Sequence, residues 1–310
     1  MIKSIVKYLL SLIGLEFKKG TSTIFNRLSV FGILSDEWEP RQGLFYLKSL
    51  DVLVADVKSP LVVQYKIAKS IYTIGGGRFF YDQDHHLRLS IQDVNFRINY
   101  PDELYVINEV FVFGDYNFKT SDEIIVIDIG LNIGATSLFF AKQENVKRVY
   151  SYELFGPTYE AAQQNLLLND AAKIKIYNVG LGNSTRQLSI PYSVANKARM
   201  GLHGLPSSEK FPDATQVTVS VKDAAEEVVR INQLEPDRKK VCKMDCEGAE
   251  FEILERLFQN KVADLIDVYI IEWHAQDAKN IEDQFLHNGF DVITPTSDNT
   301  HTGLLYAFKK

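Results

Sequence analysis

The sequence places an acidic residue and two glycines around the end of one β-branched segment. Asp128 closes that segment, and Gly130, Asn132 and Gly134 follow it before a helical pattern begins. Glycines at such a turn allow a tight bend and a close approach between backbone and ligand, because they carry no Cβ atom. Glu153, which ends the next predicted strand, is placed to accept hydrogen bonds from both ribose hydroxyls of an adenosine ligand. The segment predicts a nucleoside-binding turn, although glycines also occur at purely structural turns.

The spacing of these residues distinguishes two kinds of nucleotide cofactor. A dinucleotide-binding turn needs a glycine where Asn132 stands, so that the pyrophosphate can contact the backbone. The pattern Asp-x-Gly-x-x-x-Gly instead suits a ligand with a cationic amino acid portion and no phosphate. We therefore expect S-adenosylmethionine as the cofactor, with Asn178 as a further residue on the adenine side. An oxidoreductase that uses a nucleotide cofactor is the enzymatic alternative.

A second group of polar residues follows two later strands. Asp245 is expected at the carboxyl edge of a central strand, where it can hold a substrate hydroxyl or the positive end of the cofactor. The neighbouring strand ends with Glu272 and His274. An unperturbed histidine suits general-base duty near neutral pH, so we expect His274 to take the proton of an acceptor hydroxyl. There are two alternatives: a purely structural role for His274, and a divalent ion bound by Asp245, Glu272 and His274. Because carboxylates favour helix N-termini, we interpret Glu250 as a capping residue.

One long segment between predicted elements is a candidate lid. Residues 192–216 show no clear periodicity and include Arg199, Gly201, His203 and Gly204. Long segments of this kind in compact domains are usually lids or binding loops. His203 is therefore a second candidate base, with a solvent-exposed loop histidine as the ordinary interpretation.

The elements that must position these residues alternate from residue 101 onward. Short apolar runs predict strands, and longer stretches between them predict helices. Strands that are apolar on both faces and joined by helices form a parallel sheet covered on both sides. We therefore expect a doubly wound α/β domain over residues 101–310, with its ligand crevice at the carboxyl ends of the strands. The predicted strands are Ile124–Asp128, Arg148–Glu153, Ile174–Asn178, Val241–Asp245, Val268–Glu272, Asp291–Thr294 and Leu304–Phe308. The predicted helices are Ala135–Gln143, Pro157–Leu168, Lys222–Val229, Ala249–Phe258 and Ala278–His287.

Residues 1–100 carry no chemical motif and predict a mixed helical and β appendage. A helix is expected from Val62 to Ile71 and a β-hairpin from Phe79 to Ile98. Residues 1–19 combine an apolar helical stripe with lysines, which predicts either a helix docked on the protein itself or peripheral contact with a membrane surface. The sequence has no run of about 18 apolar residues that would predict a membrane span.

Composition restricts the class of protein further. The chain has 310 residues, of which 34 are basic and 40 acidic, and a net charge of -6. A surface of that sign is unsuited to neutralising phosphates, so we expect no nucleic-acid partner. The two cysteines, Cys242 and Cys246, lack the further ligands of a zinc site. We expect a reduced, cytoplasmic protein.

Four blocks of the sequence resemble the FkbM-type methyltransferases. They are VIDIGLNIG at 126–134, YELFGPTYEAAQQNLLLN at 152–169, KMDCEGAE at 243–250 and IEWH at 271–274, and the third block is the most specific. The resemblance implies a class I, Rossmann-like methyltransferase fold with a mostly parallel seven-stranded sheet. It also implies S-adenosylmethionine as methyl donor and O-methylation of hydroxyls on sugars, glycans or secondary metabolites. An interaction protein that keeps the fold without the chemistry is the alternative outside enzymes.

Overall fold

The protein, described by a computed structural model, divides into two compact units, residues 1–113 and 114–310. The structure describes residues 28–41, 44–202, 213–274, 278–295 and 302–310. The helix expected within residues 1–19 lies outside this part of the chain. The first unit ends at Phe113 rather than near residue 100, because the helical residues that follow Asp102 pack on the helix Tyr65–Thr73.

The described residues of the first unit form two three-stranded antiparallel sheets and short helices. In each sheet, neighbouring strands follow one another along the chain. The strands are β1 (Trp38–Arg41), β2 (Leu44–Leu47), β3 (Val52–Val54), β4 (Arg78–Tyr81), β5 (Leu87–Ile91) and β6 (Val94–Arg97). The helices are the 3-10 helix Lys48–Leu50, α1 (Pro60–Val63), α2 (Tyr65–Thr73), α3 (Glu103–Asn108) and the π-helix Glu109–Phe113.

The predicted hairpin is confirmed by β5 and β6, in which alternate residues are buried. Gln92 and Asp93 connect them with positive φ angles of 47° and 59°. Two such residues form the type I′ turn, whose twist matches that of the flanking strands. The single helix predicted over residues 62–71 is instead two helices, because the backbone leaves the helical region at Gln64 (φ −113°, ψ 44°).

Ten strands form two sheets in the described part of the second unit. They are β7 (Ile124–Ile129), β8 (Val146–Tyr152), β9 (Ile174–Tyr177), β10 (Gly180–Gly182), β11 (Arg186–Tyr192), β12 (Thr215–Asp223), β13 (Lys239–Met244), β14 (Val268–His274), β15 (Phe290–Ile293) and β16 (Thr302–Lys309). The larger sheet has the order β9-β8-β7-β13-β14-β16-β15, and β16 runs antiparallel to both of its neighbours. The smaller sheet has the order β10-β12-β11 and was not predicted.

The larger sheet is covered by helices, as expected for strands that are apolar on both faces. Every residue of β7 is buried. Ile125, Ile127 and Ile129 belong to one core with residues of α6, α7 and α8, whereas Asp128 faces the other way and contacts Ser137 of α4. The helices of this unit are α4 (Ala135–Ala141), α5 (Gly156–Leu166), α6 (Ala224–Leu234), α7 (Glu250–Gln259) and α8 (Lys279–His287), with 3-10 helices at Val194–Arg199 and Ala263–Leu265.

This strand order confirms the class I methyltransferase fold. The chain passes from β7 outward to β8 and β9, and then returns to β13 on the opposite side of β7. A reversal of that kind opens a crevice outside the carboxyl ends of the central strands. None of the helices within the described ranges is long and apolar enough to cross a membrane.

Candidate active site

A cavity lies at the carboxyl ends of β7, β8 and β13. It is a cleft open to solvent, with about 620 Å³ of space when that solvent is included. Its walls come from the turns after these three strands and from the segment that follows β11. The lining residues are Ile129, Gly130, Asn132, Tyr152, Glu153, Leu154, Thr158, Gly180, Leu181, Lys197, Met200, Gly201, Leu202, Asp245, Cys246, Glu247 and Ala249.

The turn after β7 forms one wall of the cavity. Gly130 has φ +89°, and a Cβ atom on it would lie 1.7 Å from the carbonyl oxygen of Asp245. Only glycine therefore allows the turns after β7 and β13 to pass this closely. Asn132 also adopts a left-handed backbone, with φ +51°, which asparagine tolerates better than most residues. Its backbone N–H donates to Glu153 Oε2 at 2.9 Å.

Glu153 is placed on the cavity wall, as the sequence predicts. Its side chain is buried, and Oε1 accepts a hydrogen bond from the backbone N–H of Phe155 at 3.0 Å. Burial raises the pKa of Glu153 to about 7, although the N–H groups of Phe155 and Asn132 act in the opposite direction. Each carboxylate oxygen keeps a second lone pair, so Glu153 can still accept hydrogen bonds from a ligand.

Three other residues predicted to contact the cofactor support the cavity without lining it. Asp128 is fully buried and accepts a hydrogen bond from Ser137 Oγ at 2.5 Å. A Cβ atom on Gly134 would face Leu166 of α5 at 3.0 Å, so this glycine serves helix packing. The Asn178 side chain donates to the Glu153 carbonyl at 3.0 Å. The sequence pattern located the turns correctly, but not the direction in which these side chains point.

Lys243 contacts residues of the candidate site and was not predicted from the sequence. Its side chain is buried, and Nζ donates to the Gly130 carbonyl at 2.6 Å. Nζ also lies 3.3 Å from Asp128 Oδ1 and 3.6 Å from Asp245 Oδ2. Burial lowers the pKa of the Lys243 ammonium, but the two carboxylates raise it by more. A lysine between the apolar residues Cys242 and Met244 was the available signal, because a buried charge requires partners.

Four carboxylates and a histidine form what we call the carboxylate cluster: Asp245, Glu247, Glu250, Glu272 and His274. His274 Nδ1 lies 3.4 Å from Glu250 Oε1, while Nε2 lies 3.7 Å from Glu272 Oε1 and 3.9 Å from Glu247 Oε2. The structure therefore brings together all three predicted catalytic residues, Asp245, Glu272 and His274. Asp245 lines the cavity, whereas Glu272 and His274 are not among its lining residues.

Tyr116 connects the two strand ends that carry the cluster and was not predicted. Its hydroxyl lies 3.1 Å from Glu272 Oε2 and 3.3 Å from Asp245 Oδ2. The Lys243 ammonium lies 5.5 Å from the centre of its ring. Tyr116 lies ahead of the glycine turn and outside the four sequence blocks, so no motif marked it.

The surroundings of His274 favour its charged form. Burial lowers the pKa of the imidazole, but the hydrogen bond with Glu250 and the charges of Asp245, Glu247 and Glu250 raise it to about 10. Each ring nitrogen faces a carboxylate. As an imidazolium His274 is a counter-ion to these carboxylates, and its role as a base stays a prediction.

Glu247 and Glu250, neighbours in the most specific sequence block, have different surroundings. Glu250 accepts hydrogen bonds from the backbone N–H groups of Cys246 and Gly248, both at 2.8 Å. These donors belong to the turn ahead of α7, and the N-terminus of α7 has no side-chain cap, so Glu250 holds the turn and is not a capping residue. Glu247 lines the cavity. Burial and the neighbouring carboxylates raise the pKa of Glu247 to about 8, against the lowering effect of His274.

The segment after β11 closes one side of the cavity through Lys197, Met200, Gly201 and Leu202. A Cβ atom on Gly201 would lie 2.4 Å from Glu247 Cβ and 2.6 Å from the Cys246 carbonyl oxygen. The expected binding loop thus contacts the turn that carries Glu247. His203 and Gly204 lie outside the described residues.

One part of the carboxylate cluster also has the spacing of metal ligands. Donor atoms of Asp245, Glu247 and His274 all lie within 4.8 Å of one another. This set differs from the predicted set, because Glu247 replaces Glu272. Carboxylate oxygens and imidazole nitrogen are ligands of divalent cations such as Mn²⁺.

Comparison with known proteins assigns the chain to a family. Residues 128–292 match the family model of the methyltransferase FkbM domain. Methyltransferase 1 of Beauveria bassiana (strain ARSEF 2860) is 22% identical over 182 residues, which cover 54% of this chain and 72% of that protein. The structure of a methyltransferase FkbM from Methylobacillus flagellatus KT is 14% identical, covers 82% of this chain and 61% of that chain, and has a TM-score of 0.39. A precorrin-6y C5,15-methyltransferase from Geobacter metallireducens GS-15 is 12% identical, covers 65% of this chain and 88% of that chain, and has a TM-score of 0.38.

At these TM-scores the two structures add nothing to the fold assignment, which rests on the strand order. The match to the family model spans more than half of the chain and contains Asp128, Glu153, Asp245, Glu272 and His274. The residue blocks that suggested the resemblance all lie within or at the edge of that match. The chain belongs to the methyltransferase FkbM domain family.

Proposed function

We propose that the protein is an S-adenosylmethionine-dependent O-methyltransferase that acts on a hydroxyl of a sugar, a glycan or a secondary metabolite. Membership of a methyltransferase family supports methyl transfer as the reaction. The observation that carries the proposal is the cavity at the carboxyl ends of β7, β8 and β13, with Glu153 and Asp245 on its walls.

The residues of the cavity fit S-adenosylmethionine. Asn132 Oδ1 is buried and has no hydrogen-bond partner among the described residues, so it can accept from a donor of the cofactor. Glu153, Asp245 and Glu247 add carboxylate oxygens, which suit ribose hydroxyls, an amino group and a sulfonium cation. Among the lining residues described, Lys197 is the cation and Glu153, Asp245 and Glu247 are the acidic residues, a balance that favours a cationic ligand over a phosphate.

The protein's part in the reaction is to bind, orient and exclude water. The cofactor, when bound, supplies an activated methyl group. Glu153 holds the ribose, and its rigid contacts with two backbone N–H groups fix its position. Asp245, held by Lys243 and Tyr116, orients the acceptor hydroxyl or the positive end of the cofactor. Holding the acceptor oxygen in line with the methyl group accelerates transfer, because the reacting atoms no longer have to find one another.

Calorimetry and a transfer assay test this function. We expect heat of binding with S-adenosylhomocysteine and none with NAD. We also expect tritium from methyl-labelled S-adenosylmethionine to enter hydroxylated members of a panel that contains free sugars, oligosaccharides, phenols and primary amines. Binding of NAD without binding of S-adenosylhomocysteine would contradict the cofactor, and incorporation into amines alone would contradict the acceptor class.

A further inference from the structure

We propose that Tyr116 is a positioning residue for methyl transfer, because its hydroxyl holds one oxygen of Asp245 and leaves the other oxygen to a ligand in the cavity. This inference rests on the proposed function and adds a residue from outside the family match, which begins at residue 128. It also gives Glu272 a place in the site, as the second carboxylate that holds the Tyr116 hydroxyl.

The contacts of the Asp245 carboxylate lie on one of its two oxygens. Oδ2 lies 3.3 Å from the Tyr116 hydroxyl and 3.6 Å from the Lys243 ammonium. Within the described part of the chain, the hydrogen bond and the ion pair of this carboxylate both use Oδ2, and its side chain remains partly exposed on the cavity wall. A carboxylate oxygen has two lone pairs, so Oδ1 can accept hydrogen bonds from a ligand while Oδ2 is held.

The Tyr116 hydroxyl is shared between the ends of two neighbouring strands. It lies 3.1 Å from Glu272 Oε2 as well as 3.3 Å from Asp245 Oδ2, and a phenol has one proton to donate. The two contacts therefore form a three-centre hydrogen bond. The Lys243 ammonium, 5.5 Å from the centre of the Tyr116 ring, offsets the negative charge that the two carboxylates bring together. Without the hydroxyl, these carboxylates would face one another with no donor between them, and Asp245 would lose its orientation.

The segment that carries Tyr116 is fixed against β16. Tyr306 of that strand donates its hydroxyl to the Asp115 carbonyl at 2.9 Å, and the Phe118 ring lies 6.5 Å from the ring of Phe308. Tyr116 itself is buried. A buried side chain on an anchored segment keeps one rotamer, because close packing leaves no room for another. The hydroxyl is therefore held at the ends of β13 and β14.

Tyr306 and Tyr116 differ in what their hydroxyls contact. A buried tyrosine hydroxyl usually finds a hydrogen-bond partner, and a backbone carbonyl is sufficient for that purpose. The Tyr306 hydroxyl has such a partner in the Asp115 carbonyl. The Tyr116 hydroxyl instead contacts two carboxylates, one of which lines the cavity. Tyr306 thus anchors the segment, whereas Tyr116 acts on the site.

Tyr116→Phe tests this role, because phenylalanine keeps the ring and lacks the hydroxyl. Methyl transfer is measured at saturating S-adenosylmethionine with the panel member that accepts most label. We expect kcat to fall about 10- to 100-fold, with a much smaller change in the KM for the acceptor, because misplacement of a group at a reacting centre mainly slows transfer. In an Asp245→Asn background, Tyr116→Phe should lower kcat no further, since residues that act as a unit are not additive. Tyr306→Phe, which removes a hydroxyl from the anchor of the same segment, is the matched control and should keep the wild-type kcat.

A second measurement needs no acceptor. In the full chain labelled with ¹³C at aspartate side-chain carboxyls, the resonance that is lost in Asp245→Asn belongs to Asp245. We expect this resonance to shift in Tyr116→Phe and to stay in place in Tyr306→Phe.

Several outcomes would overturn the role of Tyr116. They are a wild-type kcat in Tyr116→Phe, an equal loss in Tyr306→Phe, a further loss of the same size in the Asp245→Asn background, and an Asp245 resonance that does not respond to Tyr116→Phe. Loss of folded structure in Tyr116→Phe, measured by circular dichroism, would assign Tyr116 to stability and not to positioning. Failure of S-adenosylhomocysteine to bind the wild type would contradict the proposed function rather than this role.

Discussion

Three carboxylates share one cavity but have different surroundings, and the differences divide the chemistry among them. Glu153 is buried and held by backbone N–H groups, Asp245 is held by an ammonium and a phenol, and Glu247 faces an imidazolium. Acid and base roles in enzymes follow from such differences in environment, since the side chains themselves are chemically alike. At the residue scale, one sequence block therefore supplies two carboxylates, Asp245 and Glu247, with different surroundings.

Replacing Glu153 tests the predicted contact with the ribose. Glu153→Gln exchanges an acceptor oxygen for an N–H group that must face the N–H of Asn132 or Phe155. Because hydrogen bonds to a charged acceptor contribute about 1.5–3 kcal/mol each, we expect affinity for S-adenosylhomocysteine to fall by at least that amount. Titration calorimetry measures the change, with the exposed Glu160→Gln as control. Equal affinity in wild type and Glu153→Gln would remove Glu153 from the binding site.

Sequence reasoning placed the candidate residues at the strand ends where the structure has them, and their roles stay predictions. The glycine turn, Glu153 and the strand-end carboxylates are all present, because residue spacing determines which strand ends meet at one edge of a sheet. The spacing does not determine the direction in which a side chain points. Asp128, Gly134 and Asn178 were predicted to contact a cofactor, but in the structure they support the cavity without lining it. Nor does the spacing show which charged groups surround His274, because these groups come from separate elements.

At the scale of elements, the site is made by turns that contact one another through glycines. Gly130 brings the turn after β7 against the turn after β13, and Gly201 brings the segment after β11 against the same turn. The smaller sheet holds that segment in place, since β11 and β12 flank it. The smaller sheet was not predicted, because β10 has three residues and pairs with a strand some forty residues later. A short strand with a distant partner has little local sequence pattern by which it could be recognised.

A comparison of Gly130→Ala with Gly289→Ala distinguishes the effect of a steric clash from the effect of backbone strain. Both Gly130 and Gly289 have positive φ angles, +89° and +82°, but a Cβ atom on Gly289 would meet nothing within 4 Å. Gly289→Ala should therefore cost only the left-handed conformation, about 1–2 kcal/mol of unfolding free energy, and leave cofactor binding intact. Gly130→Ala should cost more and abolish binding of S-adenosylhomocysteine, because the Asp245 backbone has to move. Urea unfolding and calorimetry measure the two effects. Similar results for both variants would show that the approach of the two turns is not required.

At the scale of the whole molecule, the sheet order determines where chemistry can occur. The chain leaves β7 in one direction and returns to β13 on its other side, so the turns after β7, β8 and β13 open into one crevice. This architecture could be predicted from the alternation of apolar strands and helices, because only a few chain topologies are compatible with a parallel sheet. The boundary between the two units at residue 113 could not be predicted, because the helical residues after Asp102 have no motif that assigns them to either unit. The family match lies entirely within the second unit.

The carboxylate cluster also makes the stability of the second unit depend on pH. His274 has a pKa of about 10 in the folded protein and about 6.5 in an unfolded chain, so between these values the folded state holds the extra proton. Stability from this group is complete below about pH 6.5 and is lost as the pH rises through 10. Glu247 and Glu272, whose folded pKa values are raised to about 8 and about 7, act in the same direction from about pH 4.5 upward.

We therefore expect the free energy of unfolding to decrease between pH 7 and pH 9.5, and the decrease to be smaller in His274→Gln. The difference in slope is at most about 1.4 kcal/mol per pH unit, because one proton is involved. Trp273 reports on the second unit once Trp38, the other tryptophan of the chain, is replaced in a Trp38→Phe background. His287→Gln, at the exposed end of α8, serves as control. Equal slopes in Trp38→Phe and Trp38→Phe/His274→Gln would mean that His274 is neutral in the folded protein. In that case the proton acceptor would be His274 itself, as the sequence alone predicted.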